Sequence, residues 1–168
     1  MILAQYAESC WPLVGAELLS PTYYLHKWLL GGFGFNDRES SVLWNVPLNV
    51  LTQWANQNPE AVPHLLGMMA MFTVDDKGEP HWHPSALALF DCQFTQECAR
   101  AVWSSLLSFG SIGSRVPYLE LRIRLVRQIE NHPKAKVREM AAALIAALDE
   151  ESNREEKRDQ ELRVGILQ

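Results

Sequence analysis

A chain of 168 residues, of which 48% are hydrophobic, is long enough to bury one sizeable core. Its formal net charge of −5 gives the molecule as a whole no attraction for nucleic acid or anionic lipid. No apolar run approaches the ~20 residues that a membrane-spanning helix needs. The chain starts without a basic leader, and its three cysteines are an odd number. These features predict one domain of the reducing cytoplasm with no membrane association.

Proline and glycine divide the first third of the chain into short helical segments. Residues 12–19 and 22–30 are predicted as two helices, separated at Ser20 and Pro21. The stretch 31–35 mixes glycines with aromatics. We interpret it as a helix stop whose aromatics join the core, rather than as a flexible recognition loop.

Two further helices are predicted over residues 45–57 and 58–72, with Pro63 bending or restarting the second. Their short connection predicts an α-hairpin. Three methionines close this region and are interpreted as gap-filling core rather than a promiscuous binding surface: Met68, Met69 and Met71.

The longest break between helical patterns is residues 73–84, predicted as one longer loop or a small hairpin around the turn 76–78. One or two helical turns follow over 85–90. A clearer helix is predicted over 96–109, with Thr95 as its cap and Gly110 as its end.

Residues 116–129 carry two conflicting signals. Apolar and charged residues alternate over 119–125, which is typical of a strand. Val126 and Ile129 break that alternation, so we predict a helix that Pro117 opens. The helix groups five apolar side chains on one side: Tyr118, Leu121, Leu125, Val126 and Ile129.

The strongest helical signal lies within residues 129–148, where a turn at 131–133 precedes the helix. Apolar side chains recur on one face of this helix: Val137, Met140, Ala141, Leu144, Ile145 and Leu148. Small side chains on its flank predict that a second layer of the protein covers it: Ala142, Ala143, Ala146 and Ala147.

This stretch resembles the helical repeats of the HEAT and armadillo class. The segment HPKAKVREMAAALIAAL is similar to the turn and second helix of such a unit, with matches at Val137, Arg138, Ala141, Leu144 and Ile145. The resemblance implies an all-α fold, a compact right-handed stack of antiparallel helix pairs with irregular repeats, and binding rather than catalysis. A fainter likeness over residues 44–161 is to helical segments of large bacterial defence and signalling NTPases. It implies a setting in bacterial defence or signalling.

Regular apolar residues stop after residue 148. We therefore predict a single helical domain over 1–148, and a charged helical extension or partly ordered tail over 149–168. Glu150 and Arg154 have the spacing of an i,i+4 ion pair. The apolar residues 162–167 are expected to dock on the core or on a partner.

One segment is rich in positive charge. Between residues 115 and 138, only Glu120 and Glu130 oppose seven cations: Arg115, Arg122, Arg124, Arg127, Lys134, Lys136 and Arg138. Helical repeats that bind nucleic acid present such residues along a groove. The alternative, which we favour, is a solvated face partly paired with the acidic tail.

His81 and His83 flank Trp82, and in an extended chain both imidazoles would point the same way, as a metal site requires. Cys92 and Cys98 are spaced too widely for a structural zinc site. We therefore favour turn histidines and buried thiols. The loop 110–115 superficially resembles a phosphate loop but lacks its lysine. No cofactor and no catalytic residue are predicted.

The sequence thus predicts a non-catalytic helical scaffold or adaptor that binds a partner protein or another domain of a larger assembly. A homo-oligomer is a second form of this hypothesis. The alternative is a nucleic-acid-binding protein that uses residues 115–138. The least favoured function is a metal-dependent hydrolase at His81 and His83.

Overall fold

The computed structural model describes residues 9, 11, 15, 46–107, 109 and 113–166, with side chains as far as residue 162. These ranges contain six α-helices and one two-stranded antiparallel sheet. The helices are α1 (Leu48–Gln57), α2 (Val62–Met68), α3 (Pro84–Phe90), α4 (Gln96–Leu107), α5 (Val116–Arg127) and α6 (Ala135–Ile166). The strands are β1 (Phe72–Val74) and β2 (Pro80–Trp82). The prediction of a largely helical fold is confirmed. The predictions for 12–19, 22–30 and 31–35 lie outside the described residues, apart from Gly15.

Proline and asparagine set the boundaries of the first helices. α1 ends at Asn58, whose backbone N–H and side-chain Nδ2 both donate to the carbonyl of Trp54 at 2.9 Å. A 3₁₀ turn (Pro59–Ala61) follows, and Pro63 lies in the first turn of α2. A proline N is not needed as a donor there, so Pro63 restarts the helix without bending it.

α1 and α2 do not pair as the predicted α-hairpin. α1 packs chiefly on α3, and α2 packs chiefly on α4. Each short helix turns its buried face toward a later helix, because two or three turns of helix cover too little apolar surface to form a stable pair alone. The three methionines near the end of α2 are buried, which confirms them as core: Met68, Met69 and Met71.

The predicted break at 73–84 is a β-hairpin followed by the start of α3. The carboxylate of Asp75 holds its turn, because Oδ1 accepts the backbone N–H of Lys77 at 2.9 Å and of Glu79 at 2.8 Å. Gly78 adopts φ +81°, a conformation that favours glycine. The strands pair in the register Phe72–Trp82, Thr73–His81 and Val74–Pro80.

The hairpin turn is expected to loosen in acid. The hydrogen bond from the Glu79 amide, with further bonds from His81 and Lys77, holds the pKa of Asp75 below its usual 3.8. A lowered folded-state pKa contributes stability above the unfolded-state pKa, and that stability is lost as the pH falls through the folded-state value. Backbone amide NMR shifts of Lys77 and Glu79 should therefore move together as the pH drops below 3.8.

Asp75→Asn provides the control for this titration. Its side-chain oxygen still accepts both amide N–H groups, but the side chain does not titrate. The acid transition at residues 77 and 79 should disappear in this variant. If the transition persisted, another carboxyl group would be controlling the turn.

α5 confirms the helical interpretation of the alternating stretch, but its faces differ from the prediction. Leu119 and Ile123 are buried, whereas Tyr118 is 45% exposed. The reason is that α5 contacts two neighbours, α6 and β2. Its buried surface therefore differs from the predicted face and includes Leu119 and Ile123. Leu125 and Val126 are buried as predicted.

α6 is a single helix that runs on through the predicted extension to Ile166. Its predicted apolar face packs mainly on α5, with Val137, Ala141, Leu144 and Leu148 fully buried. The predicted second layer is wrong for three of the alanines, because Ala142, Ala143 and Ala146 are exposed. Beyond residue 148 the inner face becomes polar, and Ser152 and Glu155 are buried there. Among the described residues, no helix combines the length and apolar character of a membrane span.

Candidate functional site

The seven basic residues predicted as a binding surface point toward different neighbours, and the first of them points inward. Arg115 Nη1 lies 3.1 Å from Glu151 Oε1 and 3.7 Å from Glu155 Oε1. Its guanidinium carbon also lies 4.8 Å from the ring centroid of Phe109. Because the Glu155 side chain is only 7% exposed, this partly buried ion pair joins the start of α5 to the extension of α6.

Arg122 is engaged by aromatic rings. Its guanidinium carbon lies 3.7 Å from the ring centroid of Phe109 and 5.8 Å from that of Phe72. Nη1 also donates to the carbonyl of Tyr118 at 3.0 Å. The planar guanidinium stacks well on such rings, so this charge contributes to packing between α5 and the hairpin.

Lys134 and Arg138 hold the ends of chain segments. Lys134 Nζ donates to the backbone carbonyls of Asp91, at 2.5 Å, and of Cys92, just past the end of α3. A cation is favourable at a helix C-terminus, where carbonyls lack partners. Arg138 Nη1 donates to two carbonyls of the turn before α6, at 2.7 and 2.8 Å. Lys134 therefore joins the end of α3 to the start of α6, and Arg138 holds the turn that precedes α6.

The remaining three basic residues are exposed and face different surroundings. Arg124 contacts the hairpin, with Nε 3.5 Å from Glu79 Oε2 and Nη2 3.4 Å from the Gly78 carbonyl. Arg127 lies in the last turn of α5, and Lys136 lies in the first turn of α6. Five of the seven basic side chains are thus engaged with other parts of the chain: Arg115, Arg122, Arg124, Lys134 and Arg138.

The two histidines considered for a metal site have separate structural roles. His81 Nε2 lies 3.3 Å from Asp75 Oδ2 in the hairpin. His83 precedes α3, and its Nδ1 accepts the backbone N–H of Ser85 at 3.2 Å. Within the ranges that the structure describes, no three His, Cys, Asp or Glu side chains are placed to hold a metal ion.

A cysteine, a histidine and a carboxylate meet near the end of α3, but their bonding does not create a nucleophile. His132 Nε2 lies 3.4 Å from Asp91 Oδ1, while its Nδ1 accepts the backbone N–H of Lys134 at 3.2 Å. Both ring nitrogens are thus occupied. The Cys92 thiol donates to the carbonyl of Ala88 at 3.4 Å, and burial raises its pKa. Reactive cysteines need the opposite shift.

An open cleft of 510 Å³ lies between α4 and α6 and is the strongest candidate site. Ala99 and Trp103 of α4, with Met140 and Ala143 of α6, give it an apolar lining. α4 packs chiefly on α2 and α6 packs chiefly on α5, so contact between α4 and α6 is limited and leaves room for the cleft. Polar side chains complete its lining: Gln96, Arg100 and Ser104.

A smaller cleft of 380 Å³ continues the first toward the starts of both helices. The two share Gln96, Ala99 and Met140, so we treat them as one site and call it the α4–α6 cleft. The larger cleft reaches Ser104 of α4 and Ala143 of α6, whereas the smaller cleft reaches Thr95 and Lys136 near the starts of the two helices. The smaller cleft adds Phe94, Thr95, Lys136 and Glu139.

Charges around the α4–α6 cleft balance. Arg100 and Lys136 are opposed by Glu139 and by Glu97, whose Oε1 lies 4.0 Å from Arg100 Nη1. The pKa of Glu97 is lowered by hydrogen bonds from its own backbone amide and the Thr95 hydroxyl, and then by the charges of Arg100 and Lys136. The rim therefore combines both signs with no net charge around an apolar floor.

Sequence reasoning did not identify this site. It predicts Met140 on the apolar face of α6, where the structure places it. Ala143 was assigned to a flank covered by a second layer. The available signal was that alanine flank, since small residues on an outer face allow close approach by another chain. The missing information was which side of α6 its neighbours leave open.

The comparisons with known proteins identify no relative of this chain. No family model matches the chain, and no curated protein or solved structure matches it.

Proposed function

We propose that this protein is a non-catalytic helical adaptor of the cytoplasm that binds a partner protein in the α4–α6 cleft. The observation that carries the proposal is the cleft itself, an apolar floor open to solvent and framed by balanced charges. Protein interfaces commonly centre on such an apolar patch, with aromatic and methionine side chains inside a polar rim. Trp103, which is partly exposed, would supply that centre, with the small accessible part of Met140 beside it. The buried thiols of Cys92 and Cys98 are consistent with a reducing compartment.

The predicted HEAT-like repeat can be assigned to two helices of the structure. We propose that α5 and α6 form one antiparallel unit of an irregular HEAT-like stack. Their extensive packing and the intervening turn at 131–133 support this assignment. In such a stack the exposed alanines of α6 would lie on its outer face, away from α5: Ala142, Ala143 and Ala146.

Partner binding at the α4–α6 cleft should be lost in Ala143→Glu. The substitution places a larger, charged side chain in an apolar lining, where a bound protein would have to remove the carboxylate from water. We expect affinity for a co-purified partner to fall by at least about tenfold. Because Ala143 is exposed, the free energy of unfolding should change by less than about 0.5 kcal/mol.

Ala142→Glu is the matched control. Ala142 is also exposed and lies on the same helix, but it does not line the cleft. It should retain the partner that Ala143→Glu loses, as measured by affinity purification followed by titration of the recovered partner. Equal recovery by both variants would show that the cleft is not the binding site.

Salt dependence separates this function from nucleic-acid binding. A nucleic-acid complex with six to ten phosphate contacts loses about 10³–10⁵ in affinity between 50 and 200 mM salt. The charge-balanced cleft predicts a much weaker dependence. Charge reversal at Arg124 and Arg127, which are exposed on α5, should likewise leave the recovered partner unchanged. A steep salt dependence that those reversals abolish would favour nucleic acid instead.

A further inference from the structure

We infer that the element recognised in the α4–α6 cleft is a single amphipathic α-helix of the partner, bound over about two turns through apolar anchors. This inference rests on the proposed function and specifies its ligand. It follows from three properties of the cleft: the hydrogen bonding of its walls, its length and side-chain sizes, and its charge balance.

The walls of the larger cleft offer few backbone partners to an extended peptide. All seven residues that line it belong to α4 or α6, and apart from Gln96 and Ser104 in the end turns of α4 their backbone groups are bonded within helices or helix caps. No residue of β1 or β2 lines either cleft. An extended segment lying on this apolar floor would bury unpaired N–H and C=O groups. A helix satisfies its own backbone and avoids that cost.

The dimensions of the cleft match two helical turns. Gln96 and Ser104 mark its ends on α4, and eight residues of helix span about 12 Å. Anchors at positions i, i+3 or i+4, and i+7 of a bound helix span about 10 Å, so they fit within that length. Ala99 and Ala143 leave space for larger partner side chains, and Met140 can adapt its shape to them.

The balanced charges around the α4–α6 cleft favour a ligand that binds through apolar side chains and carries no strong net charge. Arg100 and Lys136 balance Glu97 and Glu139, and Arg100 already lies 4.0 Å from Glu97. A strongly acidic or basic ligand would gain attraction from one pair and repulsion from the other. Apolar anchors flanked by residues of both signs suit this rim, which resembles the mixed flanks of paired helices.

Selection from two peptide libraries tests the inference. One library presents randomised residues on a stable helical scaffold, and the other presents the same residues in an extended strand or loop. Peptides that bind the full chain are selected from each library, and those that also bind the Ala143→Glu variant are then removed. We expect cleft-dependent binders from the helical library, with affinity reduced at least about tenfold by Ala143→Glu and less than about twofold by Ala142→Glu.

NMR signals of the alanine methyl groups then show where the selected peptides contact the protein. Helical binders should shift the methyl signals of Ala99 and Ala143, and insertion of proline into the helix should abolish binding. Cleft-dependent binders from the extended library alone would overturn the helix inference but leave the proposed function standing. The absence of cleft-dependent binders from both libraries would overturn the inference, while the Ala143→Glu purification would still judge the proposed function separately.

A second copy of the chain is the remaining alternative to a partner helix in the α4–α6 cleft. Sedimentation of the full chain at increasing concentration should show a monomer, or an oligomer that Ala143→Glu does not change. A dimer that dissociates only in Ala143→Glu would mean that another copy fills the cleft, and would overturn the inference of a partner helix.

Discussion

Replacing Trp82 with alanine is expected to lower the free energy of unfolding by about 3–5 kcal/mol. Trp82 is 6% exposed and packs edge-to-face on Phe90, with 5.1 Å between ring centroids. Its Nε1 donates to the carbonyl of Leu125 at 2.8 Å. One side chain therefore connects the hairpin with both α3 and α5. Its removal opens a cavity at that junction and breaks a buried hydrogen bond.

Trp82→Phe separates the two contributions. It keeps an aromatic ring against Phe90 but removes the indole N–H. The Leu125 carbonyl still accepts the backbone N–H of Gln128 at 3.2 Å, so the expected loss is smaller, about 1–2 kcal/mol. Urea unfolding of both variants, with the slope compared to that of the parent chain, measures the effect. A loss below about 1 kcal/mol for Trp82→Ala would show that the hairpin unfolds independently of the helices.

The positions of the helices could be predicted because their signals are local. The spacing of Val137, Leu144 and Leu148 depends only on helical geometry, and all three are buried. Pro63 gives a local signal of the same kind: the sequence predicts that it bends or restarts the helix over 58–72, and the structure places it in the first turn of α2. These predictions needed no knowledge of which helix packs on which.

The pairing and orientation of the helices depend on distant residues. Tyr118 was predicted inside but is 45% exposed, because α6 and the hairpin together determine which side of α5 is covered. For the same reason, α1 pairs with α3 rather than with its neighbour α2. Periodicity shows that a helix has an apolar face but does not show how wide a surface its neighbours cover.

The partners of the basic segment could not be predicted from its charges. Lys134 donates to the carbonyl of Asp91, 43 positions earlier, and Arg115 pairs with Glu151, 36 positions later. Sequence gives the charges but not these acceptors. The α4–α6 cleft could not be predicted for a related reason: whether Ala143 is covered depends on the absence of a neighbour, which leaves no local pattern.

Gly15→Ala is expected to destabilise the protein by about 1–3 kcal/mol. A Cβ atom at Gly15 would lie 2.4 Å from Trp54 Cε2 and 2.6 Å from its Nε1. The indole is rigid, 8% exposed and packed edge-to-face on Trp11, with 5.5 Å between ring centroids. It therefore cannot move aside without disturbing the core around α1. Since Gly15 has helical backbone, alanine would otherwise be favoured there by about 1 kcal/mol.

Gly67→Ala provides the matched control, because it makes the same change in a helix that has room for it. Gly67 is exposed in α2, and its new Cβ would lie 4.0 Å from Ala101 Cβ. We expect it to stabilise the protein by about 0.5–1 kcal/mol through helix propensity alone. Urea unfolding of the two variants should thus give opposite signs. If Gly15→Ala were also stabilising, residues 11 and 15 would not pack on Trp54 as described, and α1 would need another covering element.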